Sequence, residues 1–543
     1  MILFHSILTA LCWFILYFIV VRRFVYVLQL ERYHTKPYLD WIKGGAHRIY
    51  FRGSYAKVLH PVAIILTLTV IFNVGPVIFE LGTLSALAVI WTAGHYKPVM
   101  PIKKPFVYTP RVIRLFALLV IIEAAILAFA VSLFGYRGFI GTVVALGYLQ
   151  WYMVAIANRA ARPLEGMLQE GFKKKARKKL AGKKIIGVTG SYGKSGTKEA
   201  IAHLLETKFP VFKTPGSYNT PMGLCKAVNE KIEPSHELFV TEMGATKRGD
   251  IKELCEICPP DIAVITSTGE AHLESFGTPE EVALTKFEIA DTLSENGVLF
   301  INNDYDRGRH LAAEFIAKRR FLSTQRPRLI TYGMETESDY MPCNLRCGKN
   351  GSVFDLKTPD GVLEKMTIKL LGKLNVINVT AAFAVGRHLG LNPDSLKAAA
   401  ATLPQMEHRL QVRDNPGSYL VIDDGFNANP VGAAVAVETL GYFEDLQKIL
   451  VTPGIVDMGG RQEEANFEFG KTAARYCDRV ILINRQRTQP IKNGLKEAGF
   501  AEDKIESFPS LAEAKPFINS VADEKSVVLF ENDLPDHLEE QVH

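Results

Sequence analysis

The sequence predicts two unlike parts: an N-terminal α-helical transmembrane region, then an α/β region. The α/β region divides into a P-loop domain with a mostly parallel sheet and a smaller, doubly wound, Rossmann-like domain. Three observations carry this. Apolar runs dominate residues 1–160. The glycine-rich stretch Gly187–Thr197 follows a short apolar run, Lys184–Ile186, and precedes a helical pattern, Glu199–Glu206. From residue 183 onward, short strand-like runs alternate with helix-like patterns, as in a parallel sheet covered by helices.

Ile2–Val21 is apolar and long enough to span a bilayer. Val58–Phe72 and Val77–Ala93 are split by Asn73, Gly75 and Pro76, and Val112–Phe134 and Phe139–Ala157 follow. Roughly four to six crossings fit these lengths. Arg22 to Lys57 follow the first run, Lys97 to Arg111 the third, and Arg159, Arg162 and the Lys173–Lys179 cluster the fifth. About five crossings with the N-terminus outside place every basic loop, and all that follows residue 160, in the cytoplasm. The first run lacks the basic start and cleavage site of a secretory leader. Glu123, inside the fourth run, either faces a cavity or pairs with a neighbouring helix. The net charge of +6 is concentrated in this part and its linker. That is a membrane pattern, so a lipid bilayer is the expected partner and nucleic acid is not. Residues 161–182 form a basic linker, either an amphipathic helix on the anionic membrane face or a solvated charge run. The seven cysteines show no disulfide framework.

Residues 183–404 contain Leu238–Glu242, Ile262–Thr266 and Val298–Ile301 as short buried strands. Residues 405–543 repeat the theme with Tyr419–Asp423, Lys448–Thr452, Val480–Asn484 and Val527–Phe530. Gly190 and Gly193 allow a tight turn whose N–H groups face an anion, and the helix starting near Ser195 adds its positive end. Ser191, Gly196 and Thr197 complete the loop. Lys194 supplies a point charge for the phosphates of ATP, and Ser195 a hydroxyl for Mg²⁺. The spacing G-x-x-G-K-S is shorter than the usual eight-residue loop. Glu242 ends a strand, where a carboxylate can share that Mg²⁺. His272 follows the next strand and Lys286 lies in a helix, Glu280–Ile289. By spacing alone His272 reads sooner as a structural histidine and Lys286 as a solvated surface lysine than as chemical groups. Cys255-x-x-Cys258 with Cys343-x-x-x-Cys347 has the count of a zinc site. The competing reading is small buried thiols, since Cys255 and Cys258 lie one helical turn apart.

Several runs together resemble the Mur ligases: Thr189–Ser195, Tyr218-Asn-Thr-Pro-Met-Gly223, Thr241-Glu-Met-Gly-Ala245 and Ala271-His-Leu-Glu-Ser-Phe-Gly277. Leu284-Thr-Lys-Phe-Glu-Ile289, Asn302-Asn-Asp304, Leu374-Asn-Val-Ile-Asn378, His408-Arg-Leu410 and Asp423-Asp-Gly-Phe-Asn-Ala-Asn-Pro430 continue the family's order. The resemblance covers residues 183–543. It is nearest to the members that add D-alanyl-D-alanine to a muramoyl tripeptide. It implies an ATP-dependent amide ligase working through an acyl phosphate, with a cell-wall peptide precursor as acceptor and an amino acid or dipeptide as amine donor. Lys194 and the loop amides would hold the phosphates, and Ser195 and Glu242 one Mg²⁺. His272 would serve a second metal, and Lys286 matches the lysine this family carbamylates. Asn302, Asp304, Asn375 and Asn378 match nucleotide-contacting positions. Arg409 and Asp423 match residues that close on ATP, and Asn219 and Thr220 the acceptor segment. Asn427 and Asn429 match the signature of the C-terminal domain.

The chain departs from the family in three respects. Membrane segments stand where the family has a soluble domain that grips the nucleotide end of the acceptor, which opens the way to a lipid-linked or polymeric acceptor. Phe426 stands where a tyrosine is common. Thr452–Gly459 follows the amine-binding region only loosely. The rival readings are a ligase extending a γ-linked amino-acid polymer, a membrane P-loop ATPase energising transport, and a non-catalytic scaffold.

Overall fold

A computed structural model describes residues 21–31, 33–43, 106–216, 218–269, 276, 278–294, 296–322, 328–405, 409–413, 419–425, 430–456 and 461–532. The runs Val58–Phe72 and Val77–Ala93, and the first run up to residue 20, lie outside these residues. The chain divides into two compact units, Met1–Gly171 and Phe172–His543.

In the first unit, helical residues 21–30, α1 (Thr35–Trp41) and most of α2 (Pro110–Leu180) are described. Gly135 breaks α2, with φ 56° and ψ −138°, a conformation that costs an L side chain dearly. The break lets the two halves fold back on each other. Arg114 donates to both carboxylate oxygens of Glu165, 51 residues on, at 2.7 and 2.9 Å. Phe24, Leu28, Tyr38, Leu115, Leu119 and Val154 form the core of this unit, and Glu123 is buried within it. Among the described residues one helix, Pro110–Gly135, is long and apolar enough to cross a membrane.

The last turns of α2 belong to the second unit, and they show that the linker is not simply a solvated charge run. Ala176 and Leu180 are buried in the core of that unit. Lys173 Nζ lies 2.7 Å from Glu253, Arg177 Nε donates to Glu256 O (2.9 Å) and Lys179 Nζ to Asn229 O (2.8 Å). Half of the cluster docks the helix, while Lys174, Lys175 and Lys178 face out.

The first sheet has β1 (Lys184–Thr189), β2 (Val211–Lys213), β3 (Leu238–Glu242), β4 (Ile262–Ile265), β5 (Val298–Asn302) and β6 (Arg328–Tyr332), in the order β2-β3-β1-β4-β5-β6 and wholly parallel. Covering both faces buries β3, β4 and β5 entirely, which is why they read as continuous apolar runs. The crossovers are α3 (Lys194–Leu205), α4 (Pro221–Lys231), α5 (Asp250–Ile257), α6 (Pro279–Asp291) and α7 (Asp306–Leu322). Thr220 and Thr278 cap α4 and α6 through their hydroxyls, each with proline following. A three-stranded antiparallel sheet follows: β7 (Met341–Gly348), β8 (Gly351–Thr358) and β9 (Gly361–Ile368). Next come α8 (Gly372–His388), buried along most of its length, and α9 (Pro393–Thr402).

The second large sheet has the order β10-β11-β15-β12-β13-β14. Its strands are β10 (Gln411–Arg413), β11 (Leu420–Asp424), β12 (Gln447–Thr452), β13 (Arg479–Ile483), β14 (Ile505–Phe508) and β15 (Ser526–Glu531), and only β10 runs antiparallel. Around it lie α10 (Pro430–Leu440), α11 (Gln462–Tyr476), α12 (Gln489–Glu497) and α13 (Leu511–Val521).

The two cysteine pairs do not meet: Cys255 and Cys258 lie in one core with Cys225, and Cys347 packs against another. Cys255 and Cys258 are buried, with Cys255 Sγ 3.6 Å from Met243 Sδ and Cys258 Sγ donating to Leu254 O. Burial pushes the Cys255 thiol up to about 12, so it stays protonated. Cys347 meets Ser352. No group of three or more potential metal-binding His, Cys, Asp or Glu occurs among the described residues.

Leu180→Ala should loosen the docked end of α2. Removing a buried leucine costs about 2–5 kcal/mol, and the thermal unfolding midpoint should fall accordingly. An unchanged midpoint would mean that the end of α2 does not contribute to this core.

Candidate active site

The first sheet reverses its strand order between β1 and β4, and ligand crevices form at the carboxyl ends of strands at such a point. β1 pairs with β3 (Val188 beside Glu242) and with β4 (Thr189 beside Ile265). Three loops therefore leave the sheet side by side. The loop after β1 is closed against the loop after β4. Ser191 N donates to Ser267 O (3.1 Å), Ser191 Oγ to Gly269 O (2.6 Å) and Tyr192 N to Ser267 Oγ (2.7 Å). Gly190 has φ 150°, and a Cβ there would lie 2.1 Å from Thr266 Oγ1; Gly193 has φ 80° and abuts Asn378 Oδ1. Only glycine permits this approach.

Glu242 is 2% exposed. Ser195, in the first turn of α3, donates its hydroxyl to Glu242 Oε2 at 2.7 Å, and Asn219 donates Nδ2 to Oε1 at 2.9 Å. Ser195, Glu242 and Asn219 thus meet. Lys194 folds onto its own loop, donating to Gly190 O (2.8 Å) and Ser191 O (3.1 Å). Burial lowers its pKa; Glu242 opposes the shift and Arg409 adds to it. Arg409, at the start of the C-terminal domain, therefore lies within electrostatic reach of the loop. Lys286 is 3% exposed, with Nζ 5.7 Å from the centre of the Phe276 ring. Burial, then the charge of Lys194, lowers its pKa to about 7.

The remaining predicted residues are placed less uniformly. Thr197 donates to Asn378 Oδ1 (2.9 Å), tying α3 to α8. Asn375 turns back to Leu371 O. Asn302 donates to Thr266 O, and its Oδ1 accepts from Asp304 N. Asp304 accepts from the amides of Met334, Glu335 and Thr336 at 2.8–2.9 Å, so its carboxylate shapes a loop. Thr220 serves as the cap of α4. Asp423 pairs with Arg413 at 2.5 Å. Its neighbour Asp424 accepts from Leu410 N (3.0 Å), and burial raises its pKa to about 6. His272, Phe426, Asn427 and Asn429 lie outside the described residues. Lys198 adjoins the loop in sequence, but no sequence signal singles out Lys198, Thr214 or Ser267.

Comparison with known proteins bears on these contacts. Residues 188–386 match the Mur ligase middle domain, and residues 408–531 the Mur ligase glutamate ligase domain. The chain is 30% identical over 363 residues to UDP-N-acetylmuramoyl-tripeptide–D-alanyl-D-alanine ligase of Bacillus subtilis, covering 66% of this chain and 75% of that one.

The chain belongs to the Mur ligase family.

The Escherichia coli enzyme of the same name is 28% identical over 304 residues, 56% of this chain and 65% of that one. Among solved structures, MurF from Thermotoga maritima in complex with ADP superposes with a TM-score of 0.57 at 29% identity, over 67% of this chain and 80% of that one. MurF from Acinetobacter baumannii gives 0.57 at 25% identity, over 67% and 77%. The chain is a MurF-like, ATP-dependent acid–amino-acid ligase.

The Lys286 ammonium should titrate near pH 7. In protein ¹³C-labelled at the lysine side chains, one resonance should move with that midpoint and vanish in Lys286→Met; a resonance flat to pH 10 would contradict the burial argument. The native pKa lies below the ordinary 10.5, so between these values the unfolded chain binds the extra proton. Stability from this group rises with pH across that window and is lost as pH falls through 7; Lys286→Met should flatten the rise.

Proposed function

We propose that this ligase joins D-alanyl-D-alanine, or a related amino acid or dipeptide, to the peptide carboxylate of a cell-wall precursor through an acyl phosphate. The observation that carries the reading is the pairing of Glu242 with both Ser195 and Asn219. It joins the phosphate loop to the acceptor segment at one buried carboxylate. The acceptor carboxylate attacks the γ-phosphorus of ATP, the bond to ADP breaks, and an acyl phosphate forms. The donor amine then attacks the acyl carbon, and phosphate leaves with the electron pair while the amine loses its proton. Little covalent work falls to the protein, so orientation and charge placement dominate. Lys194 and the loop amides hold the phosphates; Arg409 and Asp423 act from the C-terminal domain as it closes.

The Ser195 hydroxyl and the Glu242 carboxylate are hard oxygen donors, 2.7 Å apart, the set that suits Mg²⁺. That ion, when bound, supplies positive charge to the phosphoryl oxygens. Lys286 fits a carbamate: its amine is half neutral near pH 7, and a neutral amine adds CO₂ with loss of a proton to become an anionic oxygen donor. Lys194→Ala should abolish ADP release with the thermal midpoint unchanged. Lys286→Ala should be inactive and partly restored by short carboxylates, and Lys286→Arg should stay inactive. An active Lys286→Arg would remove the carbamate. ADP release should be largest with D-alanyl-D-alanine and a muramoyl tripeptide; release with single amino acids alone would reassign the donor.

The N-terminal unit is read as a membrane anchor, with the ligase domains in the cytoplasm and a lipid-linked acceptor within reach. Support comes from Pro110–Gly135, whose Ile121, Phe129, Leu133 and Phe134 are exposed. Further along α2, Leu164, Met167 and Leu168 of the same unit are exposed, and in the sequence the basic run Lys173–Lys179 follows them, a pattern suited to an anionic interface. Confinement there raises the effective concentration of a lipid-linked partner. The full chain should stay with membranes through alkaline carbonate washing. In vesicles its kcat/KM should favour a lipid-linked over a soluble nucleotide-linked acceptor; equal values would leave the helices as a tether.

A further inference from the structure

Lys198 lies one turn beyond Lys194 on α3 and is fully buried, at 0% exposure. Its ammonium donates to Thr214 O (2.8 Å) and Gly216 O (2.6 Å), and stands 3.1 Å from Glu199 Oε1. A buried ammonium is costly without such partners, so the three oxygens and the charge form one unit. The chain it grips leads to the Glu242 pair. The Thr214 hydroxyl accepts from Glu242 N (3.3 Å), and Asn219 Nδ2 donates to Glu242 Oε1 (2.9 Å). Asn219 O accepts from Gly244 N (3.1 Å), and a Cβ on Gly244 would lie 2.7 Å from Asn219 Cγ. Thr214 and Asn219 therefore both clasp the end of β3, and Lys198 pins the chain at Thr214 and Gly216. A neutral side chain on α3 could not satisfy two carbonyls and a carboxylate together.

We infer that Lys198 is a positioning residue: it holds residues 214–220 against Glu242, and so sets both the oxygen-donor pair and the acceptor segment from the helix that carries the phosphate loop. The inference rests on reading Glu242 as a Mg²⁺ ligand. It places the demand for charge on a lysine that touches neither nucleotide nor metal.

Lys198→Met in the full chain tests it. Without nucleotide or metal, amide hydrogen exchange at residues 214–220 should quicken about tenfold or more, while residues 184–189 stay protected. The apparent KM for Mg²⁺ and for the acceptor should rise about tenfold, the lower end of what loss of a supporting contact does to metal affinity. KM for ATP should change less than about twofold. In Lys198→Met combined with Asn219→Ala, the effect on Mg²⁺ should not exceed the larger single effect, because both act on Glu242. Unchanged exchange at 214–220, an equal rise in KM for ATP, or additive effects would overturn the assignment. Should Lys198→Met fail to fold, Glu199→Gln removes one partner of the ammonium at a part-exposed position. It should move exchange and KM for Mg²⁺ the same way by about threefold, and no movement would overturn the assignment equally. A wild-type enzyme with no need for a divalent cation would refute the Mg²⁺ reading of Glu242, while the exchange measurement would still judge Lys198.

Discussion

A carboxylate kept out of water at the end of β3 governs the architecture of this ligase. Burying a charge in a protein costs several kcal/mol unless partners are supplied. Glu242 receives them from opposite sides: Ser195 through the phosphate loop and Asn219 through the segment after β2. Each partner then needs support. Ser195 is placed by a loop that only glycine at 190 and 193 allows to press on β4 and α8. Asn219 is placed by a segment that Lys198 and Thr214 tie down.

The same crevice holds two lysines whose charges oppose each other. Burial lowers the pKa of both; Arg409 adds to the shift at Lys194, and the charge of Lys194 helps bring Lys286 to about 7. Exclusion of water thus leaves the crevice with a lysine that can exist as a neutral amine near pH 7, the property on which the proposed carbamate rests.

The C-terminal domain takes part through few contacts. Arg409 bears on Lys194, Leu410 adopts a positive φ of 46° and donates to Asp424, and a side chain at Gly372 would strike Thr439. A positive φ, a buried carboxylate and a close backbone approach thus meet where the chain passes into the C-terminal domain.

The sequence by itself determined the central strands of both large sheets, the phosphate loop and the family, but not the edge strands β2, β6, β10 and β14. Buried parallel strands must be continuously apolar, and a backbone that cradles phosphate must be glycine at fixed positions. It also holds a hairpin signal: Lys349-Asn350 and Pro359-Asp360, each followed by a glycine of positive φ, are the two-residue loops that join β7, β8 and β9 into an antiparallel sheet, against the expected parallel pattern. Tertiary structure alone decided the rest. Lys198 and Lys286 look alike as helical lysines, yet one pins a loop and the other is half neutral. Asp304, expected near nucleotide, holds three loop amides, and the lysines of the linker divide between docking and solvent. These outcomes depend on which distant residues exclude water or supply a partner, and folding sets that while local spacing does not.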